Sequence, residues 1–229
     1  MTNNPIFVAL DVNDIQKAEK LATEIKPFVG GLKLGLEFFT SCGMTGLNQI
    51  KNIGLPLFID LKFYDIPNTV TSALQNILDL EPKFTTIHTS GGREMLTACV
   101  KLKNKLNCPT NLLGVTLLTS FSDEDIKELG HSLTVKQSIE NLAALANSTG
   151  LDGIVCSPLE VKLINEKFPN LKLIVPGIRQ SHNSQDDQKR TLSAKEAMEN
   201  GADILVIGRP ITQSANPAKA AEEILKEIQ

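Results

Sequence analysis

The sequence has no apolar run long enough to cross a bilayer, since a membrane-spanning helix needs about 20 consecutive apolar residues. Its first apolar run, residues 6–10, stops at Asp11, so neither a secretory signal nor a membrane partner is expected. The net charge is only −3, and no basic excess predicts nucleic acid as a partner. The 229 residues contain no linker-like or low-complexity stretch, which favours one domain over residues 1–229.

Metal ligands and nucleophile motifs are also missing. The four cysteines, Cys42, Cys99, Cys108 and Cys156, form neither a C-x-x-C pair nor a zinc-ligand spacing with histidine. We interpret them as buried free thiols, which favours a reducing, cytoplasmic location. The histidines lack metal-ligand spacing, so no metal is predicted, and no nucleophile-elbow pattern is present. His88, at the end of a predicted strand, is interpreted as a hydrogen-bonded structural residue; the alternative is that it faces the mouth of the predicted barrel.

Short apolar strands alternate with amphipathic helical segments along the chain. Strands are predicted at residues 5–11, 31–35, 57–64, 84–89, 111–118, 153–156, 171–175 and 203–207. Strict alternation implies a parallel sheet, and eight units in this length predict a (β/α)₈ TIM barrel. The alternative is a doubly wound open sheet. That fold ordinarily carries a glycine-rich dinucleotide fingerprint after its first strand, whereas residues 11–14, Asp-Val-Asn-Asp, contain no glycine.

Three helix starts are predicted from capping patterns. Asn13-x-x-Gln16 and Ser193-x-x-Glu196 resemble capping boxes. Asn216-Pro217 is typical of a cap followed by proline in the first turn.

Charged residues alternate with apolar ones where the third strand meets its helix. Residues 57–69 read Leu-Phe-Ile-Asp-Leu-Lys-Phe-Tyr-Asp-Ile-Pro-Asn-Thr. Successive strand residues point to opposite faces, so Asp60 and Lys62 share a face, about 7 Å apart at Cα. A second carboxylate, Asp65, follows at once, and Pro67 suits the first turn of a helix.

The first two strands repeat this pattern, with a charged residue opposite a fully apolar face. In a barrel the apolar faces must meet the helices, so the charges point into the mouth, where barrel active sites are built. The charges predicted to converge there are Asp11, Lys33, Asp60 and Lys62. Gly31 and Gly35 are expected to leave room for a ligand. The alternative is an ion-pair network that only closes the barrel top.

Glycine and arginine recur after the last two strands. Gly177 and Arg179 follow the seventh strand, and Gly208 and Arg209 follow the eighth. Barrels frequently bind phosphate with these loops, through backbone N–H groups and a bidentate arginine. The pattern predicts a phosphorylated small molecule whose reacting end lies over Lys33, Asp60 and Lys62, which together with Asp11 are called the charged row below. The alternative is a pair of ordinary glycine turns beside surface arginines.

Residues 60–69 resemble the D-x-K-x-x-D-I-P-x-T signature of the orotidine 5′-phosphate decarboxylase family. Further similar segments follow in family order: Ala-Leu-Asp11, Leu-Lys33-Leu-Gly, Leu-Leu-Thr119-Ser, Pro-Gly-Ile-Arg179, Asp187-Gln188-x-Arg190 and Ile-Gly208-Arg209-Pro. The resemblance, to the short bacterial type, implies a phosphate-binding TIM barrel. It further implies a carboxy-lyase that converts orotidine 5′-monophosphate (OMP) to uridine 5′-monophosphate (UMP) and carbon dioxide. This reaction is the last step of de novo pyrimidine biosynthesis, and the family uses no metal or organic cofactor.

The resemblance also assigns roles by position. The charged catalytic tetrad corresponds to Lys33, Asp60, Lys62 and Asp65. The family is homodimeric, and Asp65 and Thr69 are expected to reach the neighbouring subunit's site. The substrate-binding positions are Asp11 and Thr69 for the ribose, Thr119 (or Ser120) for the pyrimidine, Arg179 in the closing phosphate loop, and Gln188, Gly208 and Arg209 for the phosphate.

Two other functions stay open at this point. One is a related sugar-phosphate decarboxylase or epimerase on a similar barrel, which would need a divalent metal and would therefore be sensitive to a chelator. The other is a non-catalytic nucleotide-phosphate sensor, which would bind UMP without turnover.

Overall fold

The computed structural model describes residues 4–178 and 192–229. Within them, parallel strands close into a barrel in chain order, with the last strand hydrogen-bonded to the first. The strands are β1 Ile6–Ala9, β2 Gly31–Leu34, β3 Leu57–Phe63, β4 Phe84–His88, β5 Asn111–Val115, β6 Gly153–Val155, β7 Lys172–Val175 and β8 Ile204–Ile207. The predicted (β/α)₈ barrel is confirmed, and closure excludes the doubly wound open sheet.

Helices follow the strands around the outside of the barrel. They are α1 Ile15–Ile25, α2 Leu36–Lys51, α3 Pro67–Leu78, α4 Gly92–Lys105, α5 Asp123–Glu128, α6 Val135–Thr149, α7 Val161–Lys167, α8 Ala194–Glu199, α9 Arg209–Thr212 and α10 Pro217–Glu227. In the described part of the chain, none of them has the length and apolar character of a bilayer-spanning helix.

The strand faces lie as the alternation predicts. Ile6 and Val8 belong to the large core between strands and helices, whereas Phe7, Phe58 and Phe84 belong to a smaller cluster inside the barrel. The ring of Phe84 meets those of Phe7 and Phe58 edge-on, at centroid distances of 5.4 and 5.9 Å. Such edge-to-face pairs are the favoured aromatic arrangement. The barrel is therefore filled by an aromatic layer beneath its mouth.

Two of the three predicted helix caps are confirmed. Ser193 forms a capping box with Glu196, and the Asn216 side chain accepts from the Lys219 N–H. The box predicted at residues 13–16 is wrong, because α1 begins one residue later than that pattern requires. Its N-cap is Asp14, whose carboxylate accepts from the Lys17 N–H at 2.8 Å.

Candidate active site

A cavity of about 280 Å³ opens at the carboxyl ends of the strands. Apolar residues and charged, polar or glycine residues contribute to its wall in nearly equal parts. The apolar part is formed by Ala9, Phe58, Val115, Leu117, Leu118, Val155, Cys156, Pro176 and Val206. The remainder is formed by Asp11, Lys33, Asp60, Lys62, Thr119, Gly177, Gly208 and Arg209. A concave pocket that combines apolar walls with convergent polar groups is typical of a small-molecule site.

The first charged pair joins β1 to β2. Lys33 Nζ lies 2.9 Å from Asp11 Oδ1, and the lysine side chain is only 11% exposed whereas that of the aspartate is 51% exposed. Gly35 is needed for this pair, because a Cβ on Gly35 would lie 2.8 Å from Lys33 Nζ. A Cβ on Gly31 would instead meet the ring of Phe7 at 2.2 Å. The expectation that both glycines leave room for a ligand is therefore wrong, since the protein's own side chains occupy that space.

The second charged pair lies on β3. Lys62 Nζ is 2.8 Å from Asp60 Oδ2, and the aspartate side chain is the more buried of the two, at 11% exposure against 31%. The other carboxylate oxygen, Oδ1, accepts a hydrogen bond from the Thr86 hydroxyl at 2.9 Å. A buried carboxylate is costly unless its oxygens are paired, and here both are. The two pairs place alternating charges along one side of the mouth.

Lys62 sits on a bulge in β3. The pairing of β3 with β4 shifts between Ile59 and Phe63, where β3 advances by four residues while β4 advances by two. Lys62 itself has φ of 52°, in the left-handed region that costs a non-glycine residue about 1 kcal/mol. Since the shift is by two residues, the alternation of faces is unchanged. The bulge raises Lys62 toward the cavity without turning it out of the barrel.

Two glycines and an arginine line the cavity just after β7 and β8. Gly177 has φ of 81°, a conformation that glycine adopts without strain. Gly208 and the exposed Arg209 begin α9, and all three residues line the cavity. The structure thus places them together as predicted, while Arg179 and Gln188 lie outside the described residues.

Thr119, predicted to contact the pyrimidine, follows β5 and lines the cavity. Ser120, the alternative at this point, is exposed and is not among the lining residues. The fifth strand was predicted to run to residue 118 but ends at Val115. Leu117 and Leu118 therefore reach the cavity from a loop.

Asp65 and Thr69 stay away from the cavity of their own chain. Both are exposed, and neither lines it. The Asp65 carboxylate accepts from the neighbouring Ile66 N–H at 2.7 Å. The flanking Tyr64 and Ile66 are exposed by 63% and 65%. The structure therefore does not bring Asp65 together with the other three residues of the predicted tetrad within one chain.

His88 ends β4 beside the charged row, and its ring packs at 5.5 Å on that of Tyr64. Its Nδ1 is buried, and no described residue forms a hydrogen bond with that nitrogen. The interpretation as a hydrogen-bonded structural residue is therefore wrong for Nδ1. Burial lowers the pKa of His88, and the nearby Lys62 ammonium lowers it further. Both effects favour the neutral ring.

The thiols add no nucleophile to the site. All four cysteines are free, and three are buried as predicted, whereas Cys42 is only partly buried. Burial raises the pKa of the Cys156 thiol, and the neighbouring Glu160 raises it further, so Cys156 serves as apolar wall. Over residues 4–178 and 192–229, no cluster of three His, Cys, Asp or Glu side chains has a metal-binding arrangement.

One residue of the site was missed from the sequence. Thr86 is fully buried and touches both members of the β3 pair, because its hydroxyl also accepts from the Lys62 N–H at 2.9 Å. Strand alternation could have found it, since Phe84 points into the barrel and Thr86 is two residues further along the same strand.

Comparison with known proteins agrees with this geometry. The model of the orotidine 5′-phosphate decarboxylase / HUMPS family matches residues 4–224. The chain is 45% identical to the orotidine 5′-phosphate decarboxylase of Paramagnetospirillum magneticum, covering 98% of each chain. It is 46% identical to that of Ehrlichia chaffeensis, covering 100% of this chain and 98% of the other. The crystal structure of orotidine 5′-phosphate decarboxylase from Lactobacillus acidophilus is 33% identical, with a TM-score of 0.85 over 99% of both chains. The resemblance inferred from the signature is thereby confirmed, and the chain belongs to the orotidine 5′-phosphate decarboxylase / HUMPS family.

Proposed function

We propose that this protein decarboxylates OMP to UMP and carbon dioxide without a cofactor, as the last step of de novo pyrimidine biosynthesis. The observation that carries the proposal is one cavity that is lined both by two lysine–aspartate pairs and by Gly177, Gly208 and Arg209. A pyrimidine nucleoside monophosphate carries groups that suit both sets of residues, because it has an anionic phosphate at one end and the reacting pyrimidine at the other.

The chemistry explains the need for fixed charges. When the bond between C6 and the carboxyl carbon breaks, its electron pair stays on C6 in the ring plane, where the π system cannot delocalise it. Stabilisation then has to come from charge already in place, which is the most effective way an enzyme stabilises an anion. Lys62 supplies that charge, and one Nζ proton moves to C6 in place of the carboxylate.

Asp60 has two tasks in this scheme. Its Oδ2 holds Lys62 Nζ at 2.8 Å, so the ammonium is positioned before the substrate arrives. Its negative charge also lies close to the substrate carboxylate and disfavours the bound ground state. Lys33 keeps the row electrically balanced, and the half-exposed Asp11 is available to a ribose hydroxyl.

The phosphate end supplies binding energy away from the reacting bond. Gly208 and Arg209 bind the phosphate, together with Gln188 and with Arg179 of the closing loop, and Thr119 contacts the pyrimidine edge. Binding energy from such a remote group can be used to order the reacting end. Removing Arg209 should therefore weaken nucleotide binding more than it slows the chemical step.

We further propose that the working form is a homodimer, in which Asp65 completes the partner's tetrad and Thr69 contacts the partner's ribose. The exposure of both residues, and their distance from their own cavity, support this arrangement. The exposed side chains of Tyr64 and Ile66 offer an apolar surface beside them. We propose a single catalytic domain over residues 1–229, acting in the cytoplasm.

The test follows the ultraviolet absorbance of OMP with purified protein in excess chelator. The parent should consume OMP rapidly, and Lys62→Ala should show no turnover. Lys103→Ala is the matched control, because Lys103 also forms an ion pair with an aspartate, Asp152, but lies outside the cavity. Near-normal turnover by Lys62→Ala would refute its role as proton donor.

The same assay separates the two alternatives. Activity restored only by added divalent metal would indicate a sugar-phosphate decarboxylase or epimerase. Binding of UMP by a folded protein that never consumes OMP would indicate a sensor.

A further inference from the structure

We infer that Thr86 is a positioning residue for the decarboxylation, which holds Asp60 and Lys62 in register through a single hydroxyl. The inference rests on the function proposed above. It adds a residue that does not line the cavity, and so acts only through its two neighbours.

The hydroxyl of Thr86 bridges the two halves of the β3 pair. It donates to Asp60 Oδ1 at 2.9 Å and accepts from the Lys62 backbone N–H at 2.9 Å. Asp60 Oδ2 in turn accepts from Lys62 Nζ at 2.8 Å. The three residues form a closed ring of hydrogen bonds. The side chain of Lys62 is bonded to the Asp60 carboxylate directly, and its backbone N–H is connected to the same carboxylate through the Thr86 hydroxyl. Rotation of that carboxylate is restricted because each of its oxygens is engaged.

The ring is located where the backbone most needs support. The register between β3 and β4 shifts around Lys62, whose φ of 52° is rarely adopted by a residue with a side chain. Such conformations persist only when surrounding contacts hold them. Thr86 reaches across from β4 and gives the Lys62 N–H an acceptor in place of a regular strand partner. The bulge and the orientation of the carboxylate therefore depend on the same oxygen.

Neighbouring Thr85 offers a matched control. Both threonines are fully buried on β4. The hydroxyl of Thr85 has no hydrogen-bond partner among the described residues. Exchanging either threonine for valine replaces the hydroxyl by a methyl group of similar size, so the two variants differ in whether a bridge is lost.

We expect Thr86→Val to lower kcat for OMP by about 10- to 100-fold, because the bond lost involves a charged group and a small displacement of a catalytic group is costly. The dissociation constant of UMP, measured by titration calorimetry, should change by less than about threefold, since Thr86 does not contact the ligand. Thr85→Val should keep parental kcat. Thr86→Ser, which retains the hydroxyl, should recover most of the lost rate.

The measurements begin with the parent protein. If the parent does not consume OMP, the proposed function fails. If the parent is active and the kcat of Thr86→Val equals that of the parent, the positioning role is refuted. Equal losses in Thr86→Val and Thr86→Ser would also refute it, because the loss would then not depend on whether the hydroxyl is present. Should Thr86→Val not fold, Thr86→Ala is compared with Thr86→Ser, since these differ only in the hydroxyl; equal rates would again refute the role.

Discussion

Gly35→Ala tests whether the ion pair between Lys33 and Asp11 depends on the space that the missing side chain of Gly35 leaves beside it. The new Cβ would lie 2.8 Å from Lys33 Nζ and 3.4 Å from Asp11 Oδ1. Carbon and nitrogen repel steeply at the shorter distance, so the ammonium must move by about 0.6 Å to reach ordinary contact. This movement can lengthen the hydrogen bond to Asp11, now 2.9 Å, to at most about 3.5 Å, where such a bond is weak.

The fold should tolerate this substitution. Gly35 has φ of −103° and ψ of −163°, an extended conformation that alanine also adopts. Restricting the unfolded chain contributes about 0.4–1 kcal/mol of stability. The pair that is lost is half-exposed at Asp11, and such pairs are worth about 0–1 kcal/mol. These effects nearly cancel, so the free energy of unfolding in urea should change by less than about 1 kcal/mol.

Activity should respond far more strongly than stability. A misplacement of about 1 Å in an active site can reduce the rate about 100-fold, so we expect kcat/KM for OMP to fall about 10- to 100-fold. The control is the same change in a Lys33→Ala background, where no ammonium can clash. There, Gly35→Ala should have little further effect on the remaining kcat/KM for OMP. Parental kcat/KM in Gly35→Ala, or an undiminished effect without Lys33, would refute this reasoning.

Two further predictions concern the surroundings of the charged row. Mixing inactive Lys62→Ala and Asp65→Ala subunits should restore OMP turnover, because each hybrid dimer would hold one intact site; no recovery despite demonstrated subunit exchange would place Asp65 in its own chain's site. His88 should make stability fall with acidity: its lowered native pKa means that the unfolded chain, with an ordinary pKa near 6.5, takes up a proton first as the pH drops below that value. The stabilisation is complete above this pH and is lost toward the native pKa, so His88→Gln should flatten the dependence of the unfolding free energy on pH as the pH falls below about 6.5.

The architecture was predictable because two periodicities alternate cleanly along the chain. Strand residues such as Ile6 and Val8 had to face helices, which left Asp11 and Lys33 no place but the barrel interior. The positions of the lining charges therefore follow from alternation alone. The assignment of chemical roles required the signature in residues 60–69.

The local geometry was less predictable, for reasons visible at individual residues. Nothing about a lysine indicates positive φ, so the bulge at Lys62 has no signal in the sequence. The extent of β5 was overestimated, because apolar residues such as Leu117 continue past the strand to line the cavity. At Gly31 the need for glycine arises from the Phe7 ring, a contact between two strands that depends on register. Asp65 shows the limit of a single chain, since it lies away from the cavity of its own chain and its role depends on the proposed second subunit.

The aromatic layer and the charged row form one functional unit. Phe58 and Phe84 lie two residues before Asp60 and Thr86 on their strands, and they fill the barrel directly below these polar groups. An apolar floor excludes water, and Coulomb interactions strengthen as the effective dielectric constant falls. The same floor makes any unpaired charge costly, which explains why both Asp60 oxygens are engaged. A polar substitution in this aromatic layer would therefore weaken catalysis before it unfolded the barrel. The Coulomb interactions of the charged row depend directly on the apolar layer below them, whereas the packing of the helices does not.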